Sequence, residues 1–460
     1  MALVGLGVWL VYLAFLAPSF YSQDGQGMLH VALSLVQRHS ISVPANFGVP
    51  GRNGKFYSMW YPLLSFLAVP FVRIALFLSR SFRLPEPYMM SLCAVVLSTV
   101  IATGTAVATA LLALRLGASL PRAVLAGVIY AFCTVAFTYA RNFYADPLLA
   151  LFVTLGLFFA FGNSENWGAG FCCLLAILAK PTGFLLAVAL ISYFLVFHKK
   201  GVWRIILGGA MGGAVFLLWN YLCFGDPLKV GQPNFWTLSH VPTAFFGLLL
   251  SPGVGLFVYC PVLLMALRRI EQIRRQQGLI LGLALMFVCL YSFWDRWYAS
   301  PWGPRFLLPV IPALCAIAVL RSRRRVVIGL ALLGLVIQLP TIFATPERYL
   351  ELSFDRGVSQ TELIWSPVKS PLLGAWPSAV AQIKTASKTD VRPMRIYRAT
   401  ATTFNEARFF KIVPLWWWML PVIGVSRWWG VLLSCFLVLA GVLLIRLAST
   451  PTGPLPSQVV

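Results

Sequence analysis

Apolar stretches close to the length of a membrane helix recur along this whole chain, and no other feature constrains its fold as strongly. They cover residues 2–20, 62–78, 88–114, 123–140, 147–161, 167–197, 205–223, 253–267, 278–294, 306–320, 326–344 and 428–445. A hydrocarbon layer about 30 Å thick needs a helix of about 20 apolar residues. The runs are continuous rather than alternating, which excludes a transmembrane barrel. With 59% of its residues hydrophobic and 11% charged, the chain reads as an all-α polytopic membrane protein.

A net charge of +23 raises the question of a nucleic-acid partner, and the placement of the charges answers it. The dense clusters are short linkers between apolar runs: His198-Lys199-Lys200 with Arg204, Arg268-Arg269 with Arg274-Arg275, and Arg321 with Arg323-Arg324-Arg325. That is the pattern of cytoplasmic loops facing anionic lipids, so nucleic acid is excluded as a partner. By alternation, residues 224–250, 294–305 and 346–413 are predicted on the opposite, extracytoplasmic side. The last of these is expected to be a lid or an acceptor-facing loop. The triple Trp416-Trp417-Trp418 reads as a membrane anchor rather than a binding box. The nine cysteines lie in or at the edges of apolar runs, with no disulfide framework and no metal spacing. The first segment lacks a basic leader and a small-residue cleavage site, so it is expected to be an uncleaved span.

Alternation does not orient the first half. Counting each run once puts Asp146 on the side opposite Asp24. Dividing the 167–197 run at Ala179-Lys180-Pro181-Thr182-Gly183 reverses that parity. Arg80 and Arg83 in one linker against Arg115 and Arg122 in the next decide nothing.

The polar boundary segments carry the candidate chemistry. Tyr21-Ser22-Gln23-Asp24-Gly25-Gln26-Gly27 follows the first run, and Asp24 is the only acid between there and Pro62. An ionisable group at a membrane boundary is a functional candidate, and capping of a helix over residues 26–38 is the structural alternative. Gly51 to Gly54 mark a tight turn, with Lys55 just beyond, either a functional cation or a snorkelling anchor. Asp146-Pro147 reads as a helix cap or as a second site acid. Asp295, Arg296 and Arg305 close the set, with Arg141 beside Asp146. No P-loop, dinucleotide fingerprint, zinc-protease motif or nucleophile elbow is present. One acid among several cations at a boundary suits an anionic amphiphile, because a carboxylate can act as base while cations hold a phosphate.

Taken together, certain short motifs resemble the GT-C superfamily of membrane glycosyltransferases, in the branch of protein O-mannosyltransferases and lipid A aminoarabinose transferases. They are Ser22-Gln23-Asp24-Gly25, Gly54-Lys55-Phe56-Tyr57-Ser58 with Tyr61-Pro62, Tyr144-Ala145-Asp146-Pro147 and Phe224-Gly225-Asp226-Pro227. Ser251-Pro252-Gly253, Tyr259-Cys260-Pro261 and Trp302-Gly303-Pro304-Arg305 complete the set. The resemblance implies a bundle of roughly 11–13 transmembrane helices with extracytoplasmic loops. It also implies a multi-pass protein of the bacterial inner membrane with an outward-facing site. The expected division is a catalytic membrane module over 1–225, membrane helices with outer loops over 226–345, the loop 346–413, and a last helix with tail over 414–460.

The resemblance further implies a sugar donor on a polyprenyl phosphate, a lipid, glycan or protein acceptor, and inverting transfer with Asp24 as base. Asp146 becomes the second acid and is expected to face Asp24. Arg305, then Lys55 and Arg141, are expected on the donor phosphate, with Tyr57, Tyr61, Asp295 and Trp302 lining the substrate site. Arg305 has interfacial anchoring as its alternative role. Where many relatives carry a second acid, this chain has Gln26, which argues against a divalent metal in the first loop. The rival classes are a transporter or lipid-linked glycan flippase without catalysis, and a polysaccharide ligase or polymerase of another fold. Transporters tend to place charges at the midplane between internal repeats, and neither is found here.

Overall fold

The computed structural model describes residues 1–20, 22–162, 166–197, 200–232, 236–268, 270–385 and 415–450. Tyr21, His198, Lys199 and Arg269 lie outside the described residues, as do 386–414 of the predicted outer loop and the tail 451–460. The protein is a helical bundle with one small sheet at its edge. Six helices are long and apolar enough to cross a membrane: Pro62–Phe82, Glu86–Arg115, Val202–Phe224, Arg275–Ser292, Arg324–Phe343 and Arg427–Ser449. Shorter apolar helices, among them Ala2–Ala14, Leu120–Cys133, Ala145–Ala160 and Trp167–Ala179, pack between them.

One core runs from Val4 to Met419, so the divisions at 225 and 345 do not separate distinct hydrophobic cores. The last helix leaves Trp428, Leu432, Phe436, Leu439, Leu443 and Leu447 exposed along one stripe, a face that lipid would cover. Its other side meets the first helix closely. A Cβ on Gly7 would lie 2.6 Å from the Gly441 carbonyl oxygen, and a Cβ on Gly441 equally close to that of Gly7. Small residues on facing helices allow this approach.

Contacts sort the connections onto two ends of the bundle. The Arg115–Gly117 turn, Gly162, Phe197 and Arg274-Arg275 share one end. Gly117 abuts Arg274, Gly162 abuts Arg115, and the Arg275 guanidinium stands 4.7 Å over Phe197. Asp24, Asp146, Lys180 and Arg305 meet at the other. The 167–197 run is accordingly two helices, Trp167–Ala179 and Phe184–Val196, joined by the short turn Pro181–Gly183. Pro181 forces the preceding Lys180 into extended backbone (φ −160°, ψ 136°), which ends the first helix there.

The 62–78 run, expected to be a span, runs alongside another helix. The amphipathic helix Gln23–Arg38 leaves the first span and returns through a three-stranded antiparallel sheet, β1 (Ser42–Val43), β2 (Val49–Pro50) and β3 (Phe56–Tyr57), ordered β1-β3-β2. The turn before β3 has Asn53 at φ 58° and Gly54 at φ 67°, which is why an Asn-Gly pair stands there. Trp60 then lies against Gly27 near the start of Gln23–Arg38, while the Gln37 amide donates to Glu86 at 3.0 Å near its end. Pro62–Phe82 therefore runs parallel to a helix that ends in Arg38-His39, and it begins and ends at the same bundle end. Its length and hydropathy suit a span, but its neighbours give it a different course. With this helix lying along the end, the position of Asp146 agrees with that of Asp24.

The described part of the predicted outer loop is helical. It forms Pro346–Asp355, Gln360–Trp365 and Pro371–Thr385, pinned to the bundle by the Gly253 amide donating to the Ile364 carbonyl at 2.9 Å. Trp416 to Trp418 pack partly buried against the core, and the Trp416 amide donates to the Leu16 carbonyl at 3.0 Å.

Candidate active site

Asp24 does not cap its helix. Ser22 takes the N-cap position and its Oγ accepts from the Gly25 amide at 3.1 Å. Asp24 follows in the first turn, where free amides and the helix dipole favour a carboxylate, and its side chain points at Arg305. Asp146 is also no cap. It lies inside Ala145–Ala160, whose N-cap Tyr144 makes no side-chain capping bond. Both acids are thus free to serve the cluster.

Arg305 is aimed by the turn before it. Gly303 adopts φ 53°, and a Cβ there would sit 2.8 Å from the Tyr259 ring, so this corner is fit only for glycine. The guanidinium lies between the faces of Tyr144 and Phe306, 4.5 and 4.8 Å from their centroids. Its Nη1 donates to Asp24 Oδ2 at 2.9 Å and its Nη2 to the Ala299 carbonyl at 3.1 Å. Its Nε stands 3.8 Å from Asp146 Oδ2, too far for a hydrogen bond, and is a buried donor without an acceptor among the described residues.

Lys180 closes the cluster from the loop between its two helices. Its Nζ lies 2.6 Å from Asp146 Oδ1 and 4.8 Å from the centroid of Phe306. Burial pulls the ammonium down, Asp146 and then Tyr291 push it up, and the net direction is up. Lys180 was missed as a site residue, although a lone lysine inside an apolar run was the available signal.

Of the expected site residues, the fold brings together Asp24, Asp146 and Arg305. Tyr61 stands at the edge of this region, its ring 5.5 Å from Phe216. The others are placed elsewhere. Lys55 is exposed at the end of the hairpin turn, its amide bonded to the Arg52 carbonyl. Arg141 is consumed by backbone, donating to the carbonyls of Phe15 (2.6 Å), Thr341 (2.5 Å) and Ile342 (3.2 Å). Tyr57 packs in the small apolar cluster of Val31, Val43, Trp219, Cys223 and Phe224. Trp302 is fully buried, with its indole donating to Gln338 Oε1 at 2.7 Å. Asp295 is half exposed and faces His240 at 3.8 Å.

A resident divalent metal does not fit this donor set. The two carboxylates bracket a guanidinium, and among the described residues no three His, Cys, Asp or Glu side chains gather as ligands. What the cluster can do is hold an anion. Arg305, buried, and Lys180, partly buried, are cations whose present partners are carboxylates that an incoming phosphate could replace.

No protein-family model matches the chain, and no curated protein does. Solved structures do. ArnT from Cupriavidus metallidurans in the apo state aligns over 95% of this chain and 75% of its own, with TM-score 0.50 and 18% identity. ArnT from the same organism bound to undecaprenyl phosphate aligns over 90% and 84%, with TM-score 0.50 and 17% identity. Identities this low speak to architecture alone: the chain shares the overall fold of ArnT.

Proposed function

We propose that the protein is a membrane glycosyltransferase that moves a sugar from a polyprenyl-phosphate donor to an acceptor hydroxyl, with inversion, at the end of the bundle where Asp24 lies. The observation that carries this reading is Arg305 held between Asp24 and Asp146, with Lys180 on the far side of Asp146. ArnT bound to undecaprenyl phosphate lends support, since its fold is shared and its ligand is a lipid phosphate.

In this reading the donor phosphate enters beside Arg305 and Lys180. Arg305 shifts from Asp24 toward the phosphate, which frees Asp24 to take the proton of the attacking hydroxyl. That oxygen bonds to the anomeric carbon as the bond to the lipid phosphate breaks. Charge grows on the departing phosphate, and the two cations stabilise it more in the transition state than in the ground state. Asp146 keeps both cations in place until then. The basic end faces the cytoplasm and the cluster faces out, as positive-inside placement requires.

Purified protein incubated with a panel of polyprenyl-phosphate sugars should release free lipid phosphate from at least one. A flippase without catalysis would release none and would instead move an intact donor between leaflets. Cysteines at Asp295 and Arg274 should differ in intact cells, with an impermeant reagent labelling only the former.

A further inference from the structure

The helices Phe184–Val196 and Arg275–Ser292 meet at both ends of the bundle. At the cluster end Lys180, just before the first helix, stands 5.5 Å from the ring centroid of Tyr291 on the second. At the basic end the two border an apolar slot of about 440 Å³, the size of a small-ligand site. Arg275 lies at its mouth beside Phe197, and Met286 at its far end. The guanidinium is 4.7 Å over the Phe197 ring and has no hydrogen bond or ion pair among the described residues. From Arg275 to Met286 the lining follows one face of the helix, a length of about 16–17 Å at 1.5 Å per residue. That is the depth of one leaflet of a hydrocarbon layer about 30 Å thick.

Gly278 and Gly282 form the floor of the slot. Glycine is a poor helix former beside alanine, so two of them within a helix call for a reason. Neither has a positive φ. A Cβ on Gly282 would meet no atom within 4 Å, and one on Gly278 would meet only the Ile273 side chain at 3.3 Å. Gly208 differs, because a Cβ there would run into the Gly170 carbonyl, and glycine serves helix packing. At Gly282 the open surface has no partner of this kind. Gly282 and Ser192 are exposed, so the slot is open along its flank to lipid.

Apolar walls one leaflet deep suit an acyl chain, and an unpaired cation at the membrane boundary suits a phosphate. A second copy of this chain fits worse. The spacing of Gly278 and Gly282 is that of a helix-pairing face, but a two-fold pair in one membrane would set the two Arg275 side chains against each other.

We propose that the slot binds an anionic phospholipid of the leaflet at the basic end, with one acyl chain over Gly278 and Gly282 and the phosphate on Arg275. The site stands independently of the transfer reading.

The test uses the full chain, stripped of lipid in detergent and titrated with dioleoyl phosphatidylglycerol or dioleoyl phosphatidylcholine. Native mass spectrometry gives the Kd for the first lipid bound. Wild type should prefer phosphatidylglycerol by roughly fivefold, the worth of one cation at an anionic surface. Arg275→Gln should bring the two Kd values together, whereas Arg446→Gln, on the last helix, should keep the preference. Gly282→Leu fills the slot without a clash at its Cβ, and its unfolding temperature without lipid should not fall. It should weaken both lipids roughly tenfold or more, which the burial of two methylenes already supplies. Equal Kd values in wild type overturn the proposal. So does a preference that survives Arg275→Gln, which would belong to the basic surface at large. Undiminished binding by Gly282→Leu would place the lipid elsewhere. If light scattering finds a wild-type dimer that Gly282→Leu turns into a monomer, a second copy fills the slot, and the proposal falls.

Discussion

Arg305 and Asp24 stand 281 positions apart in the chain, yet Arg305 Nη1 lies 2.9 Å from Asp24 Oδ2 at one end of the bundle. The bond joins the first turn of an amphipathic helix to a corner that a left-handed glycine creates. Because the same guanidinium also faces Asp146, loss of either acid leaves the cation with a partner.

Asp24→Asn should separate chemistry from structure cleanly. Ser22 caps the helix, so the substitution leaves the cap intact. A lost general base lowers turnover by roughly a hundredfold or more. Transfer kinetics beside undecaprenyl-phosphate binding are the measurement, and an Asn variant with wild-type turnover would end the catalytic assignment.

Arg305→Ala should weaken donor use by well over tenfold, and it also leaves Asp24 without the hydrogen bond that Nη1 supplies. Arg305→Lys should recover part of the loss, since a point charge returns without the planar fork or the stacking on Tyr144. Donor kcat/KM across the three proteins gives the order. Equal values for Ala and Lys would show that charge at this position is irrelevant to the donor.

Lys180 and Asp146 form a pair whose side chains are 16% and 5% exposed, and removing Lys180 alone leaves Asp146 with only the more distant Arg305 Nε at 3.8 Å. Lys180→Met should cost about 3–5 kcal/mol of stability, and adding Asp146→Asn should restore most of it. Thermal unfolding in detergent reads this out. Activity should stay low in the double variant, because a cation for the phosphate is still missing.

His30 makes the Gln23–Arg38 helix sensitive to acid. Burial, and then Arg38, lower its pKa from 6.5 to about 4. Its ring stacks on Phe47, 3.7 Å between centroids. The unfolded helix therefore binds more protons than the folded one between these values. Stability should be full above pH 6.5, decline as pH falls toward 4, and level off below, by up to about 3 kcal/mol. His30→Gln should flatten that decline in hydrogen exchange over this helix, and an unaltered slope would assign the acid sensitivity to other groups.

Hydropathy alone determined that this chain is a helical membrane protein, because the cost of an unpaired backbone group in lipid is local and recurs with every run of residues. The acids and cations at the run ends were legible for the same reason: a charge at a boundary stands out from its immediate neighbours. Tertiary packing decided which of them meet. Lys180 reads as a helix break and becomes the partner of Asp146 only when two helices fold back on each other. Arg141 and Trp302 read as site residues, yet their partners at Phe15, Thr341, Ile342 and Gln338 lie elsewhere in the chain and draw them into structural roles. The same holds for the 62–82 helix, whose composition suits a span. The residues that flank it, Trp60 against Gly27 and Glu86 bonded to Gln37, carry it along the bundle end. A polar side chain's role depends on which groups desolvate and pair it, and those groups come from distant segments that no local pattern connects.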